Sequence, residues 1–326
     1  MVESLKKSGI THIEAWGIQP NPVISKVKEI INLAKKAKVQ ALLAVGGGSV
    51  IDSAKAVACG YYMDDVWQAF EARETITKAL PLFTIPTLSG TGTETNPYAV
   101  VTNESQHKKW NISGPALYPK VSILDPAIQM SLPWNQTANG AIDAISHILE
   151  YYFMSSESET TLALDESLIR TIIGCVDTLK KSPNDYNARA NLAWSATLAL
   201  NGISGAGMEG GDWACHGIEH AISALNPGIA HGAGLAVVFP KWISYCQKEN
   251  PALFLRWARN IFSCKSVEDG VAAMREKYHS WKAPTTIDEL GIDKSQISAI
   301  ADNTIDFGLT GSLKSLKKMD IIAILS

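Results

Sequence analysis

The short apolar run Ala41–Val45 passes without a spacer into Gly46, Gly47, Gly48 and Ser49, and then into a helical pattern over residues 50–62. This strand, glycine turn and helix constrain the fold more than any other feature. A helix that follows a buried strand so closely packs back across the sheet, and the next strand then lies parallel to the first. Residues 22–38 carry Val23, Ile24, Val27, Ile30, Ile31 and Leu33 at helical spacing. PLFTIP (81–86) and VSILDP (121–126) read as buried strands. YAVVTN (98–103) and KKWNIS (108–113) read as a hairpin turning at Asn103, Glu104 and Ser105. Apolar strands alternating with helices predict a parallel, doubly wound sheet.

After Pro126 the strand signals stop. Residues 132–153, 158–181, 186–206, 212–225 and 230–247 read as helices, with a weaker helical tail. The chain is therefore expected to divide into an α/β part, 1–127, and an all-α part, 128–326, with a ligand cleft between them.

Two loops in the first part suit a nucleotide. Glycines in the first, AVGGGSVIDSAK, permit positive φ and close backbone approach, and the helix start behind them favours a phosphate. Ser49 and Asp52 also fit a capping box, which would give them a purely local role. The second loop, TIPTLSGTGTETN (84–96), places Thr87, Ser89, Thr91 and Thr93 around two glycines and is longer than a simple connection needs. Asn96 ends this loop and Lys109 follows on the hairpin. Taken alone, Lys109 reads as a solvated edge-strand lysine.

The helical part carries a metal-like pattern. In NGAIDAISHILEYY (139–152), Asp143 and His147 stand at i and i+4 on an otherwise apolar helix, so both leave one face. A buried Asp is costly unless its charge is compensated, and a divalent cation would do that. His216 and His220 repeat the spacing on another helix, and His231 follows the helix break at NPGIA. One carboxylate and several imidazoles suit iron, zinc, nickel or cobalt. The pattern alone leaves open which of His216 and His220 takes the metal. Gly217 stands where the zincin motif HExxH would carry its glutamate, which disfavours a metalloprotease. Cys215, beside His216, reads as core packing rather than a soft ligand.

Composition excludes other classes. The net charge is −3 and the pI about 6.2, so the chain has no electrostatic footprint for nucleic acid or an anionic membrane. No apolar run reaches the roughly 18 residues of a membrane span, and the amino terminus lacks a signal-peptide core. Five cysteines without a CxxC pair point to a reducing cytoplasm.

Together, GGGSVIDSAK, IPTLSGTGTE, GAIDAISHILE and HGIEHAIS…GIAHGAGLA resemble the iron-containing (group III) alcohol dehydrogenases, in the branch of butanol dehydrogenases and NAD(P)H-dependent aldehyde reductases. The resemblance implies an α/β dinucleotide-binding domain with a parallel sheet and a helical metal-binding domain. It implies one divalent ion, iron first, on Asp143, His147, His216 and His231, with His220 beside it in a proton path. Asn21, Gly46, Gly47, Gly48, Ser49, Asp52, Thr87, Thr91 and Lys109 would face NAD(P)H. A small aldehyde or alcohol substrate, a cytoplasmic location and a homodimer go with it. Family members open with a further strand-helix unit, so roughly fifty to sixty residues, about half of a nucleotide-binding half-domain, are expected to be missing and the sheet incomplete. A metal-binding remnant without catalysis is one alternative. A sugar-phosphate cyclase resembling dehydroquinate synthase is another. It would need basic residues near the metal, where the helical part offers only Arg170, Lys180, Lys181 and Arg189.

Overall fold

Ile24, Val27, Ile30, Ile31 and Ala34 bury one face of a helix, as their spacing requires. The computed structural model describes residues 1–154 and 157–326. The first part holds α1 (Val2–Lys7), α2 (Ile24–Ala37), β1 (Leu42–Gly46), α3 (Gly48–Gly60), α4 (Val66–Ala72), β2 (Leu82–Pro86), β3 (Tyr98–Asn103), β4 (Lys108–Ser113) and β5 (Val121–Ser122). A parallel sheet of order β1-β2-β5 results, with Leu42 opposite Leu82 and Phe83 opposite Val121. Among the described residues β1 is an edge strand, and its Leu43 and Val45 are exposed.

The expected β3–β4 hairpin forms, antiparallel with Val100 opposite Asn111, and makes a sheet of its own. One detail differs from expectation. VSILDP contributes only Val121 and Ser122 as strand, because Asp125 accepts the Ala127 N–H and starts a 3-10 turn at Pro126.

The helical part holds α5 (Trp134–Tyr152), α6 (Glu159–Lys181), α7 (Tyr186–Ala199), α8 (Ala214–Leu225), α9 (His231–Cys246), α10 (Pro251–Phe262), α11 (Val267–Ser280), α12 (Ile297–Phe307) and α13 (Lys318–Leu325). α5, α8 and α9 are buried on nearly every side, which their largely apolar sequences permit. Phe153 stacks on Phe254 at 4.1 Å near the centre of this core. The helix expected over 186–206 stops at Ala199. Gly202, Gly205, Gly207, Gly210 and Gly211 follow, and each costs a helix about 1 kcal/mol relative to alanine.

The hairpin docks the two parts. The rings of Trp67 (α4), Trp110 (β4) and Phe307 (α12) stack at 5.9 and 6.0 Å. Arg73 lies over the Phe307 ring and donates to the Phe307 carbonyl. Lys109, beside Trp110, is thereby carried in against α8.

Candidate active site

α5 presents Asp143 and His147 on one face, α8 presents His216 and His220, and His231 is the first residue of α9. The Nε2 atoms of His147, His216 and His231 lie 3.6, 4.0 and 3.5 Å from Asp143 Oδ1. Ligands of one four-coordinate ion with bonds near 2.0–2.2 Å stand about 3.3–3.6 Å apart; His147 and His231 stand at that distance from Asp143 and His216 slightly beyond it, and ligand atoms of Asp143, His216 and His231 all lie within 4.8 Å of one another. Asp143 Oδ1 and His216 Nε2 are buried without a hydrogen-bond partner among the described residues. Atoms in that condition are costly unless something polar or charged meets them. Burial, against the pull of Asp143, brings His147 down to about 3, so its neutral, ligating form prevails at ordinary pH. The residues present therefore fit a divalent metal.

The geometry separates the two histidines of α8. His216 turns Nε2 toward Asp143. His220 instead stacks on Phe307 at 5.6 Å and lies 5.5 Å from His231. Burial, with the Lys109 ammonium adding to it, holds the His220 imidazole well below its usual range.

Behind two of the imidazoles stand glutamates that the sequence pattern did not single out. Glu150 accepts from His216 Nδ1 at 2.6 Å, from the His216 backbone at 3.1 Å and from the Trp213 backbone at 2.6 Å. Glu219 accepts from His231 Nδ1 and, at 3.2 Å, from Lys109 Nζ. Burial acts to raise the Glu219 carboxyl, but His231 and Lys109 outweigh it and bring it down to about 2. Each glutamate lies three residues after a ligand-candidate histidine, His147-x-x-Glu150 and His216-x-x-Glu219. A charged residue recurring on a buried helix face was the available signal.

On the nucleotide side, Gly46, Gly47 and Gly48 all lack positive φ, so their use is close approach. A Cβ on Gly48 would stand 2.6 Å from Thr91 Cγ2, and the glycine turn and threonine loop interleave there. The Ser49–Asp52 capping box does not form, since Gly47 caps α3 without a side chain. Asp52 instead crosses to the threonine loop, accepting from Thr93 Oγ1 at 2.6 Å and the Val100 N–H at 3.0 Å. Lys55, fully buried and also unforeseen, donates to Thr93 Oγ1 at 2.7 Å and to the Asn96 and Tyr98 carbonyls at 2.8 Å each. Burial lowers its ammonium to about 8.

Lys109 is no solvated edge residue. It is buried and donates to Asn21 Oδ1 at 3.0 Å and Ser223 Oγ at 2.9 Å besides Glu219. Asn21 in turn donates to the Pro227 and Ile229 carbonyls, both at 3.0 Å, and pins the turn that precedes His231.

A cleft of about 250 Å³ joins the two sets. Asn21, Gly48, Ser49, Asp52, Thr91 and Lys109 line it, as do Asp143, His147, His216, His220 and His231, and Leu200, Trp213 and Leu309 supply apolar wall. Gly46, Gly47 and Thr87 are not part of this lining; the Thr87 N–H donates to the Gly46 carbonyl and joins the two strand ends. Cys215 packs in the helical core. Arg170, Lys180 and Arg189 donate to Asn260, Ser280 and Thr137, away from the cleft. None of the described helices is long and apolar enough to cross a membrane.

Residues 1–126 match the iron-containing alcohol dehydrogenase family, and residues 137–326 match the C-terminal part of the Fe-containing alcohol dehydrogenase family. The chain is 36% identical to a Bacillus subtilis protein named probable NADH-dependent butanol dehydrogenase 1, over 100% of this chain and 86% of that relative. It is 32% identical to the NADPH-dependent aldehyde reductase YqhD of Escherichia coli, over 95% of this chain and 82% of that protein. The crystal structure of NADH-dependent butanol dehydrogenase A from Thermotoga maritima superposes with a TM-score of 0.97 at 49% identity, covering 99% of this chain and 85% of that one. The chain belongs to the iron-containing alcohol dehydrogenase family.

Proposed function

We propose that this chain is a metal-dependent, NAD(P)H-linked alcohol dehydrogenase or aldehyde reductase acting on short aliphatic substrates such as butanol and butyraldehyde. One observation carries the reading: three imidazole nitrogens and the unpartnered Asp143 Oδ1 converge in the cleft that Gly48, Ser49 and Thr91 also line. Relatives named as NADH-dependent butanol dehydrogenases and an NADPH-dependent aldehyde reductase support it.

Asp143, His147, His216 and His231 would hold the ion, iron first. The bound ion supplies a Lewis acid for a carbonyl or alkoxide oxygen, and the nicotinamide supplies or accepts hydride. The start of α3 and the hydroxyls of Ser49 and Thr91 hold the dinucleotide, with the helix dipole favouring its phosphates. Asp52 and Lys55 fix the threonine loop that carries Thr91 and Thr93. Leu200, Trp213 and Leu309 exclude water around a short apolar chain. His220 lines the cleft beside His231 and is the residue that exchanges a proton with a substrate oxygen, directly or through a water.

The test uses purified protein stripped of metal and reloaded with Fe²⁺, Zn²⁺, Ni²⁺ or Co²⁺. Saturable NADH or NADPH binding by fluorescence, and metal-dependent turnover with butyraldehyde, are expected. Nucleotide binding should be absent if the chain only binds metal. Full turnover by a metal-free Asp143→Ala/His231→Ala variant would refute the assignment.

A further inference from the structure

Two glutamates are buried behind imidazoles of the site, and only one is explained by local structure. Glu150 accepts two backbone N–H groups at the start of α8 and so serves as that helix's cap. Glu219 is fully buried and has no such duty. Its Oε1 finds no hydrogen-bond partner among the described residues, and its Oε2 meets His231 Nδ1 and the Lys109 ammonium. A buried carboxylate that keeps its charge needs a compensating partner. Room is kept for it as well: a Cβ on Gly234 would stand 2.7 Å from Glu219 Cγ.

The contacts also settle the imidazole's proton. A carboxylate oxygen and an unprotonated Nδ1 would repel at this range, so Nδ1 carries the hydrogen and donates it to Glu219. With the imidazole neutral, as a metal ligand must be, the lone pair is then on Nε2, which faces Asp143 Oδ1 3.5 Å away. Lys109 Nζ lies 3.5 Å from His231 Nδ1, at the outer limit of a hydrogen bond, and its ammonium balances Glu219 from the hairpin side.

We infer that Glu219 is a positioning residue for His231: it fixes the Nδ1–H tautomer, aims Nε2 at the metal position and makes the imidazole a stronger donor. Lys109 acts through Glu219 by balancing its charge. The inference rests on the metal site proposed above. It makes metal affinity depend on a hairpin lysine 110 residues earlier in the chain.

The experiment measures Co²⁺ affinity by chelator competition, together with the Co²⁺ absorption spectrum, in the full chain. Glu219→Gln should weaken Co²⁺ about 10- to 100-fold and alter the spectrum. It should also lower the melting temperature, because Lys109 is left buried and unpaired. The double variant Glu219→Gln/Lys109→Met should regain the melting temperature while Co²⁺ binding stays weak. Gly234→Ala, which displaces the carboxylate without removing it, should weaken Co²⁺ in the same direction. Wild-type Co²⁺ affinity in Glu219→Gln or in the double variant would overturn the inference, since Glu219 would then serve only to neutralise Lys109. If Asp143→Ala bound Co²⁺ as well as wild type, the metal site itself would fall, a result distinct from failure of Glu219 alone.

Discussion

Gly140 gives the sharpest single test of how the cleft is assembled. It lies on α5 one turn before Asp143, and a Cβ there would stand 2.0 Å from the Ser89 carbonyl oxygen. The reverse holds too: a Cβ on Gly90 would stand 2.9 Å from Gly140 Cα, so loop and helix touch backbone to backbone. Carbon–oxygen contacts settle near 3.3 Å, so Gly140→Ala must move the threonine loop by about 1.3 Å. Helix propensity opposes this by favouring alanine with up to about 1 kcal/mol, whereas overpacking costs about 1–3 kcal/mol. The net effect on stability is thus small and destabilising. The effect on turnover is larger, because misplacing reacting groups by about 1 Å can cost about 100-fold. We expect kcat/KM for butyraldehyde to fall about 100-fold and the NAD(P)H dissociation constant to rise. Metal content should be kept, since Asp143 and His147 share α5. Steady-state kinetics, fluorescence titration and metal analysis on one preparation decide it. A Gly140→Ala protein that melts higher than wild type and keeps kcat/KM within threefold would refute the seating of this loop on α5.

Other predictions follow from buried charges. Lys55→Met removes the main cation beside Asp52 and Glu94 and strips Thr93, Asn96 and Tyr98 of a donor. It should cost about 3–5 kcal/mol in denaturant unfolding; a loss under 1 kcal/mol would show that the cluster is not coupled. Asp165 is fully buried, and burial, with Ser204 opposing and Glu166 adding, pushes its carboxyl up to about 8. Its folded form therefore keeps a proton that the unfolded chain releases near pH 4, so it reduces stability progressively from about pH 4 to pH 8. Asp165→Asn should flatten that fall and be more stable than wild type by a few kcal/mol at pH 8, with little difference at pH 4; equal slopes in thermal melts across this range would contradict the assignment. His216→Ala should release the metal, whereas His220→Ala should retain it while losing turnover, as metal analysis beside kinetics will show.

Local spacing made much of this chain legible in advance. The run from Leu42 through Gly48 predicts the parallel sheet and the α3 start, and β1, β2 and β5 form that sheet. Asp143 with His147, and His216 with His220, had to share helix faces because an α-helix repeats every 3.6 residues. Which of His216 and His220 turns toward Asp143 was not written in that period, since both lie on the same face of α8. Phe307, 87 residues beyond His220, stacks on one ring and leaves the other to meet Asp143. Glu150, Glu219, Lys55 and Lys109 were misread or passed over for the same reason. A charged side chain can be buried only beside its compensating partner, and these partners lie on other elements, up to 110 residues away for Lys109 and Glu219. The glycines teach the converse. Sequence marks Gly48 and Gly140 as places without a side chain, but only the packing of the threonine loop shows what occupies the space. Short-range periodicity fixes which residues share a surface, and long-range packing alone fixes what that surface meets.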